Sequence, residues 1–439
     1  MNSFNCIANP FLGLPQDLII AKSDDKTLTV AQFCYAIGQV KEFCYRNKLH
    51  QGMCIALDMP LSLEWQLLFW GFIDSGIIVL CLNQRLPQSQ KLQQAQDISA
   101  NLYITDFNWQ ISSQSLSTEW NLNNKATIIF TSGSSGNPKP ALHTLANHYY
   151  SALGSNENIN LDMGDKWSLS LPLHHVGGIA ILFRCLLSGA ITVIGQDDNI
   201  THYSFVPTQL MDFMAKHNFK MPKAILLGGA TIAESLLDKA MEYKLPIYTT
   251  YGCTEMSSQI CTTSHNASLE DLKTAGQLLK YREVKISDDG EILVRGKTLF
   301  CGYLQIGGGA GVLQKSYHTQ EWFCTSDYGY LDSYNRLVVL GRKDNLIISG
   351  GENICPEEIE KIILDKFGLT AIIVAVKNKR FGQRPVAFVD GVFDKDLLIK
   401  QLSAILPKYK IPDEFYTLPA NNNLKISRYE LAQKASKYN

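Results

Sequence analysis

Ten consecutive residues constrain this chain more than any others: Thr131-Ser132-Gly133-Ser134-Ser135-Gly136-Asn137-Pro138-Lys139-Pro140. They follow Ala126-Thr127-Ile128-Ile129-Phe130, a short β-branched apolar run that reads as a buried strand. Four hydroxyls, two glycines and a lysine stand in the ten positions. Glycine lets a backbone turn tightly beside a ligand. Exposed N–H groups in such a turn form an anion-binding concavity, hydroxyls donate to phosphate oxygens, and Lys139 adds a mobile positive charge. The plainer alternative is a solvated Ser/Gly linker. The strand before the segment and the Pro-Lys-Pro after it argue against a free linker. The segment does not fit G-x-x-x-x-G-K-[ST], so it is not the common P-loop.

The rest of the chain alternates strands and helices, which implies a parallel α/β sheet. Runs 54–57, 76–80 and 102–105 read as strands. Helical patterns cover 61–73 and the stretch after Thr29, a candidate N-cap. Beyond the loop, 146–153 and 179–187 read as helices, and 167–171, 191–194, 203–206, 224–227 and 247–250 as strands. From 280 the texture shifts to shorter β segments at 283–286, 291–294 and 337–340. Pro356-Glu357-Glu358 opens a helix with proline and acids in its first turn. Strands at 371–376 and 386–389 and a helix at 397–406 follow. The expected organisation is α/β throughout. A large domain, 1–343, carries parallel sheets and a small β-subdomain; a small mobile α+β domain covers 344–439.

With 46% apolar and 18% charged residues over 439 positions, the chain is of ordinary globular composition. A net charge of -1 gives no electrostatic case for nucleic acid or an anionic membrane. The 11 cysteines are scattered without a C-x-x-C pair, as expected of reduced thiols in a cytoplasmic protein. Residues 1–15 show no signal peptide. The most apolar windows, near 65–72 and 76–82, are too short to span a bilayer.

Other chemistry-bearing residues stand after strand-like runs, where open α/β sheets gather ligands. Gly228-Gly229-Ala230 follows 224–227. Tyr251-Gly252-Cys253-Thr254-Glu255 follows 247–250; its ring can stack on a base, its hydroxyl bond a phosphate, and its carboxylate hold Mg²⁺ beside phosphate oxygens. Such mixtures also make ordinary turns. His174-His175 before Gly177-Gly178 lacks a nearby third metal ligand, so one histidine lining a pocket is the better reading. Arg184 is the one charge in its helix. It reads either as a snorkelling or ion-paired side chain or as an anchor for a substrate carboxylate. Asp327 suits paired ribose hydroxyls or a turn. The charged, glycine-rich stretch 341–353 looks like an interdomain connection.

Taken in order, these segments resemble the adenylate-forming superfamily of acyl- and aryl-CoA synthetases, luciferases and peptide-synthetase adenylation domains. The shared features are the loop, the His175 segment, Gly228-Gly229-Ala230, 251–255, 325–327, 341–353 and Lys425, over nearly the whole chain. The resemblance implies two half-reactions. A carboxylate attacks the α-phosphate of ATP, giving an acyl-adenylate and pyrophosphate, and a thiol, usually coenzyme A, then displaces AMP. By position, Thr131, Ser132, Gly133, Ser134, Ser135, Gly136 and Lys139 would hold the β- and γ-phosphates. Tyr251 and Gly252 would lie against adenine, with Gly228, Gly229 and Ala230 lining its pocket. Thr254 would meet the α-phosphate and Glu255 the Mg²⁺. Asp327 and Arg342 would bind ribose, and Lys425 would bridge carboxylate and phosphate. His175 would gate the acid pocket. Asp344 would be the hinge, and Gly350, Gly351, Glu352 and Asn353 would reach the thiol tunnel after domain rotation.

Three positions depart from the family pattern. Pro140 replaces a glycine, Ser135 a threonine, and Leu424 the glycine that often precedes the terminal lysine. Pro140 removes an N–H and fixes φ, which bears on loop motion. The runs 170–178 and 206–210, with the compact length, resemble the branch that joins 2-succinylbenzoate to coenzyme A in menaquinone synthesis. Its acid has two carboxylates, so Arg184, Ser257 or Ser258 is expected to hold the one that does not react. The alternatives are another aryl- or acyl-CoA ligase, a loader of a separate carrier protein, and a non-catalytic nucleotide-binding relative. The intact set Lys139, Glu255, Asp327, Arg342 and Lys425 argues against the last. No carrier domain is expected after residue 439. The expected partners are a small-molecule acid and coenzyme A, and a homo-oligomer is left open.

Overall fold

A computed structural model describes residues 5–24, 26–109, 111–112, 114–131, 138–216, 219–307, 313–317, 320–419 and 428–438. By packing, the chain divides into a larger unit of 1–230, 240–284 and 294–323 and a smaller one of 231–239, 285–293 and 324–439. The larger unit holds two extended sheets. One has seven strands and contains Cys54–Leu57, Ile78–Cys81 and Lys125–Thr131 in parallel. The other has nine, with Lys166–Ser168, Ile191–Val193, His202–Phe205, Ala224–Leu227 and Ile247–Cys253 running parallel. Such strands, buried on both faces, read as unbroken apolar runs rather than alternation; Cys54–Leu57 and Ala224–Leu227 are buried at every position.

The helices begin where local chemistry allows. Thr29 caps Val30–Arg46 with a full capping box to Gln32. Ser62 caps Leu63–Asp74. That second helix is buried on nearly every side, which its apolar composition demands. Its rings pack with Phe11, Trp120 and Phe183 at centroid distances of 4.8–5.8 Å. Asp74, the acid that interrupts the apolar window, closes the helix as a satisfied hub. Its carboxylate accepts from Asn9 at 2.8 Å, the Trp120 indole at 2.9 Å, Ser117 N at 3.0 Å and Lys41 at 3.0 Å. No helix among the described residues is long and apolar enough to cross a membrane.

The ten-residue segment sits differently from a strand–loop–helix connection. Lys125–Thr131 turns back into a second strand, Lys139–Thr144, with Thr131 opposite Lys139 and Phe130 opposite Pro140. Positions 132–137 lie outside the described residues. Lys139–Thr144 pairs on its other side with Gly302–Leu304, Tyr303 opposite Ala141. The helix then follows at Leu145–Asn156, capped by Thr144.

In the smaller unit, strands Ala371–Asn378 and Gly382–Val389 pair in one antiparallel ladder. Alternation places Ala371 and Ile373 in one buried cluster with Ile359 and Ile363 of helix Pro356–Phe367. Val374 and Val376 lie in another with Leu431 and Ala435 of helix Arg428–Tyr438. The stretch 341–353 is not an extended connection there. It contains strands Ile347–Ser349 and Glu352–Ile354, closed as a hairpin by Gly350 (φ 61°) and Gly351 (φ 90°). Two successive left-handed residues are what a two-residue turn needs to match strand twist, hence Gly-Gly.

Candidate active site

Four segments leave the C-terminal ends of parallel strands in the nine-stranded sheet. Pro172-Leu173-His174-His175 comes after Lys166–Ser168. Val206 and the helix Pro207–Ala215 follow His202–Phe205, Gly228-Gly229-Ala230 follows Ala224–Leu227, and the 3-10 turn Thr254–Met256 follows Ile247–Cys253. Strand order sets the last three side by side, with Phe205 opposite Leu227 and Leu227 opposite Thr249. This edge is where open α/β sheets bind ligands. Gly229 and Ala230 are exposed there, and Tyr251 is partly so. Gly252 lies at a bulge in the pairing with Ser258–Thr262.

Sheet pairing brings the hairpin strand Lys139–Thr144, through Tyr303, to Glu255. Tyr303 Oη donates to Glu255 Oε1 at 2.5 Å, and Lys139 Nζ stands 5.5 Å from the centre of the Tyr303 ring. Burial, then the neighbouring carboxylate, raises the Tyr303 phenol well above its ordinary range, so it remains a donor. The described residues give the other Glu255 oxygen no hydrogen bond. A single carboxylate with one oxygen left open, across Tyr303 from Lys139, fits Mg²⁺, which keeps several waters and takes its remaining ligands from phosphates. Among the described residues no group of three metal-ligating side chains forms a closed cage.

Buried His143 braces the turn, and His148 lies against its ring, with centroids 5.2 Å apart. His143 Nε2 hydrogen-bonds the Thr254 carbonyl at 2.7 Å and His148 Nε2 the Thr127 hydroxyl at 2.7 Å. Desolvation pushes His143 down to about 4 and His148 well below its usual value. Both are therefore neutral, and His143 donates Nε2–H to the carbonyl. His175 is the N-cap of helix Val176–Ser188 and is exposed. Desolvation and the Arg85 charge lower it, and His174, with His175 also against it, falls to about 4.

Arg184 does not snorkel, being 1% exposed, and no acid among the described residues pairs with it. It donates to Gln259 Oε1 at 2.6 Å and lies 3.4 Å from the Ser258 hydroxyl. Ser257 is buried, and its hydroxyl donates to the Thr298 carbonyl at 3.1 Å. Ser257 and Ser258 have φ of 54° and 105°, left-handed backbone that costs a non-glycine residue about 1 kcal/mol or more.

In the smaller unit Asp327 and Arg342 are ladder partners, and Arg342 Nη1 donates to Asp327 Oδ1 at 2.9 Å. Arg342 also reaches Asp344 at 3.3 Å. Desolvation works against the Arg342 charge, and the two carboxylates outweigh it, raising the group. Gly350, Gly351, Glu352 and Asn353 are the exposed tip of the hairpin. Ser132, Gly133, Ser134, Ser135, Gly136 and Lys425 lie outside the described residues. Tyr303, His143 and Gln259 were not singled out in the sequence. A strand pairing or a turn brings each to the site, and the signals were an isolated aromatic after Gly302 and polar residues inside apolar strands.

Fold and strand-end geometry define an AMP-binding enzyme, and residues 108–304 match the sequence profile of the family so described. A 2-succinylbenzoate–CoA ligase of Bacillus licheniformis is 31% identical over 95% of this chain and 97% of that protein. One of Bacillus cereus is 30% identical over 96% of each. The chain belongs to this family, the 2-succinylbenzoate–CoA ligases among the AMP-binding enzymes. The o-succinylbenzoate CoA synthetase of Bacillus subtilis in complex with the acyl-adenylate intermediate OSB-AMP superposes with a TM-score of 0.86. It is 28% identical, with 97% of this chain and 98% of that one covered. The same synthetase with ATP and magnesium ion gives 0.84 at 28% identity, covering 97% and 99%.

Proposed function

We propose that the protein joins 2-succinylbenzoate to coenzyme A at the expense of ATP, a step of menaquinone biosynthesis. An acid oxygen bonds to the α-phosphorus as pyrophosphate leaves. The coenzyme A thiol then bonds to the acyl carbon, loses its proton and releases AMP. The observation that carries this reading is near-full-length relatedness to ligases of that acid, together with the convergence of Lys139, Tyr303 and Glu255. The hairpin and Lys139 hold the β- and γ-phosphates by charge and N–H donation. Tyr303 and His143 fix Glu255 and Thr254, and Mg²⁺, when bound, neutralises phosphate charge. Gly228, Gly229, Ala230, Tyr251 and Gly252 form the adenine wall, Asp327 and Arg342 hold ribose, and Lys425 bridges the reacting carboxylate and phosphate. Arg184, with Ser258, receives the second carboxylate, and His175 stands at the pocket mouth.

Between the half-reactions the domain 344–439 rotates about Asp344, bringing Gly350, Gly351, Glu352 and Asn353 to the thiol. Asp344 lies inside the smaller packed unit; a hinge compares two conformers, so it need not coincide with a packing boundary. A cytoplasmic location accords with eleven cysteines scattered along the chain without a C-x-x-C pair. The test is coenzyme A consumption with a panel of acids. The expected result is fastest turnover of 2-succinylbenzoate; faster turnover of benzoate or medium-chain fatty acids overturns the assignment in favour of another acyl- or aryl-CoA ligase.

A further inference from the structure

Two guanidiniums are buried in the larger unit, Arg184 at 1% and Arg282 at 4% exposure, and they meet on one residue. Arg184 donates to the Gln259 side chain at 2.6 Å, and Arg282 Nε donates to the Gln259 carbonyl at 2.8 Å. Arg282 also donates to the Lys280 carbonyl at 2.6 Å and the Ser151 carbonyl at 3.3 Å, and the Ser151 hydroxyl holds the Ser257 carbonyl at 2.6 Å. Arg282 thus clamps both ends of the left-handed Ser257–Ser258 turn beside Arg184.

Among the described residues no carboxylate pairs with either guanidinium, and Arg184 Nε is buried without a hydrogen-bond partner. Desolvation lowers Arg184 to about 10 and Arg282 to about 9, the latter pushed further by Arg184. Both stay charged near neutrality. A buried cation without a counter-charge is costly, and two on one residue more so. Helix Leu145–Asn156 makes room for this: a Cβ at Gly154 would stand 2.4 Å from Arg282 Nη1 and 2.8 Å from the Lys280 carbonyl.

We propose that Arg282 is a positioning residue for the acid's second carboxylate. It fixes the Gln259 backbone, aims Arg184 through the Gln259 side chain, and adds an uncompensated charge that makes the pocket select dicarboxylates. This rests on the ligase reading above. An anion arriving at Arg184 supplies the missing counter-charge, whereas a monocarboxylate engaged at the reacting end leaves both cations unpaired.

The experiment compares 2-succinylbenzoate with two analogues, 4-oxo-4-phenylbutanoate and 2-butanoylbenzoate, each lacking one of its carboxylates. The analogue that is turned over retains the reacting group. In Arg282→Gln, KM for 2-succinylbenzoate is expected to rise roughly tenfold or more while its kcat, and KM for the active analogue, move less than about threefold. Arg282→Lys recovers part of the selectivity, because it returns the charge but not the fork. Gly154→Ala, which displaces the guanidinium without removing it, shifts KM in the same sense and keeps the inference testable if Arg282→Gln does not fold. Equal losses with both acids, or an unaltered KM ratio, overturn it. A wild-type enzyme that shows no preference for 2-succinylbenzoate over the analogues overturns both this inference and the ligase assignment. Wild-type preference with equal losses in the variants overturns this inference alone.

Discussion

Tyr303 and Glu255 are joined by one short hydrogen bond, and that bond aims the carboxylate. A hydrogen bond to a charged group contributes about 1.5–3 kcal/mol, so Tyr303→Phe is expected to slow pyrophosphate release about tenfold to a hundredfold. Glu255→Gln keeps the shape and removes the charge; the Mg²⁺ concentration for half-maximal pyrophosphate release should then rise at least about tenfold. If neither variant changes its Mg²⁺ dependence, Glu255 is not the metal's carboxylate. His143 acts on stability instead. Its folded value is about 4, against 6.5 for the ordinary group. Above 6.5 neither state binds the proton. As pH falls below 6.5, the unfolded chain takes a proton that the folded one refuses until about 4. Stability is therefore full above 6.5 and declines across that window, by about 3 kcal/mol at most. Urea midpoints at pH 7.5 and 5 check this: His143→Gln should narrow the difference between them, and an unchanged difference would assign the acid sensitivity elsewhere.

The bulge at Gly252 immediately precedes the Thr254–Met256 turn. A Cβ there would lie 1.9 Å from the Ser258 carbonyl oxygen, backbone that no side-chain rotation relieves. Gly351 has φ of 90° and open space around it. Gly351→Ala should therefore cost about 1 kcal/mol, the left-handed penalty alone, and Gly252→Ala about 3 kcal/mol or more. Thermal unfolding ranks them, and equal shifts would mean the bulge relaxes. The same contrast explains what the sequence made legible. Cys54–Leu57 and Ala224–Leu227 stand where unbroken apolar runs placed them, because burial on both faces leaves a local signature. Strand Lys139–Thr144 was not foreseen. It opens with Lys-Pro and owes its existence to partners before the hairpin tip and at 302–303. Glu255 and Arg184 were marked by being charged among small or apolar neighbours. Tyr303, Gln259 and Arg282 carried no such mark, since their partners are assembled by pairing between segments distant in the chain.

At the scale of the whole molecule, the proposed function sets two opposed demands on residues of 344–439. Adenylation brings two anions together and needs a cation where charge accumulates; thiol attack needs that ground cleared. In the proposed function Lys425 serves the first demand and Gly350-Gly351 the second. The glycines are the tip of a hairpin, and Lys425 comes more than seventy positions later in the sequence. A domain that rotates as proposed would present one and then the other, so their substitutions should separate by half-reaction. Lys425→Ala is expected to slow acyl-adenylate formation about a hundredfold or more, read as pyrophosphate release. With acyl-adenylate supplied, the same variant should form the thioester within a few-fold of the unsubstituted enzyme. Loss of both steps to the same degree would mean that Lys425 stays at the site through the whole cycle, and rotation about Asp344 would have no work to do.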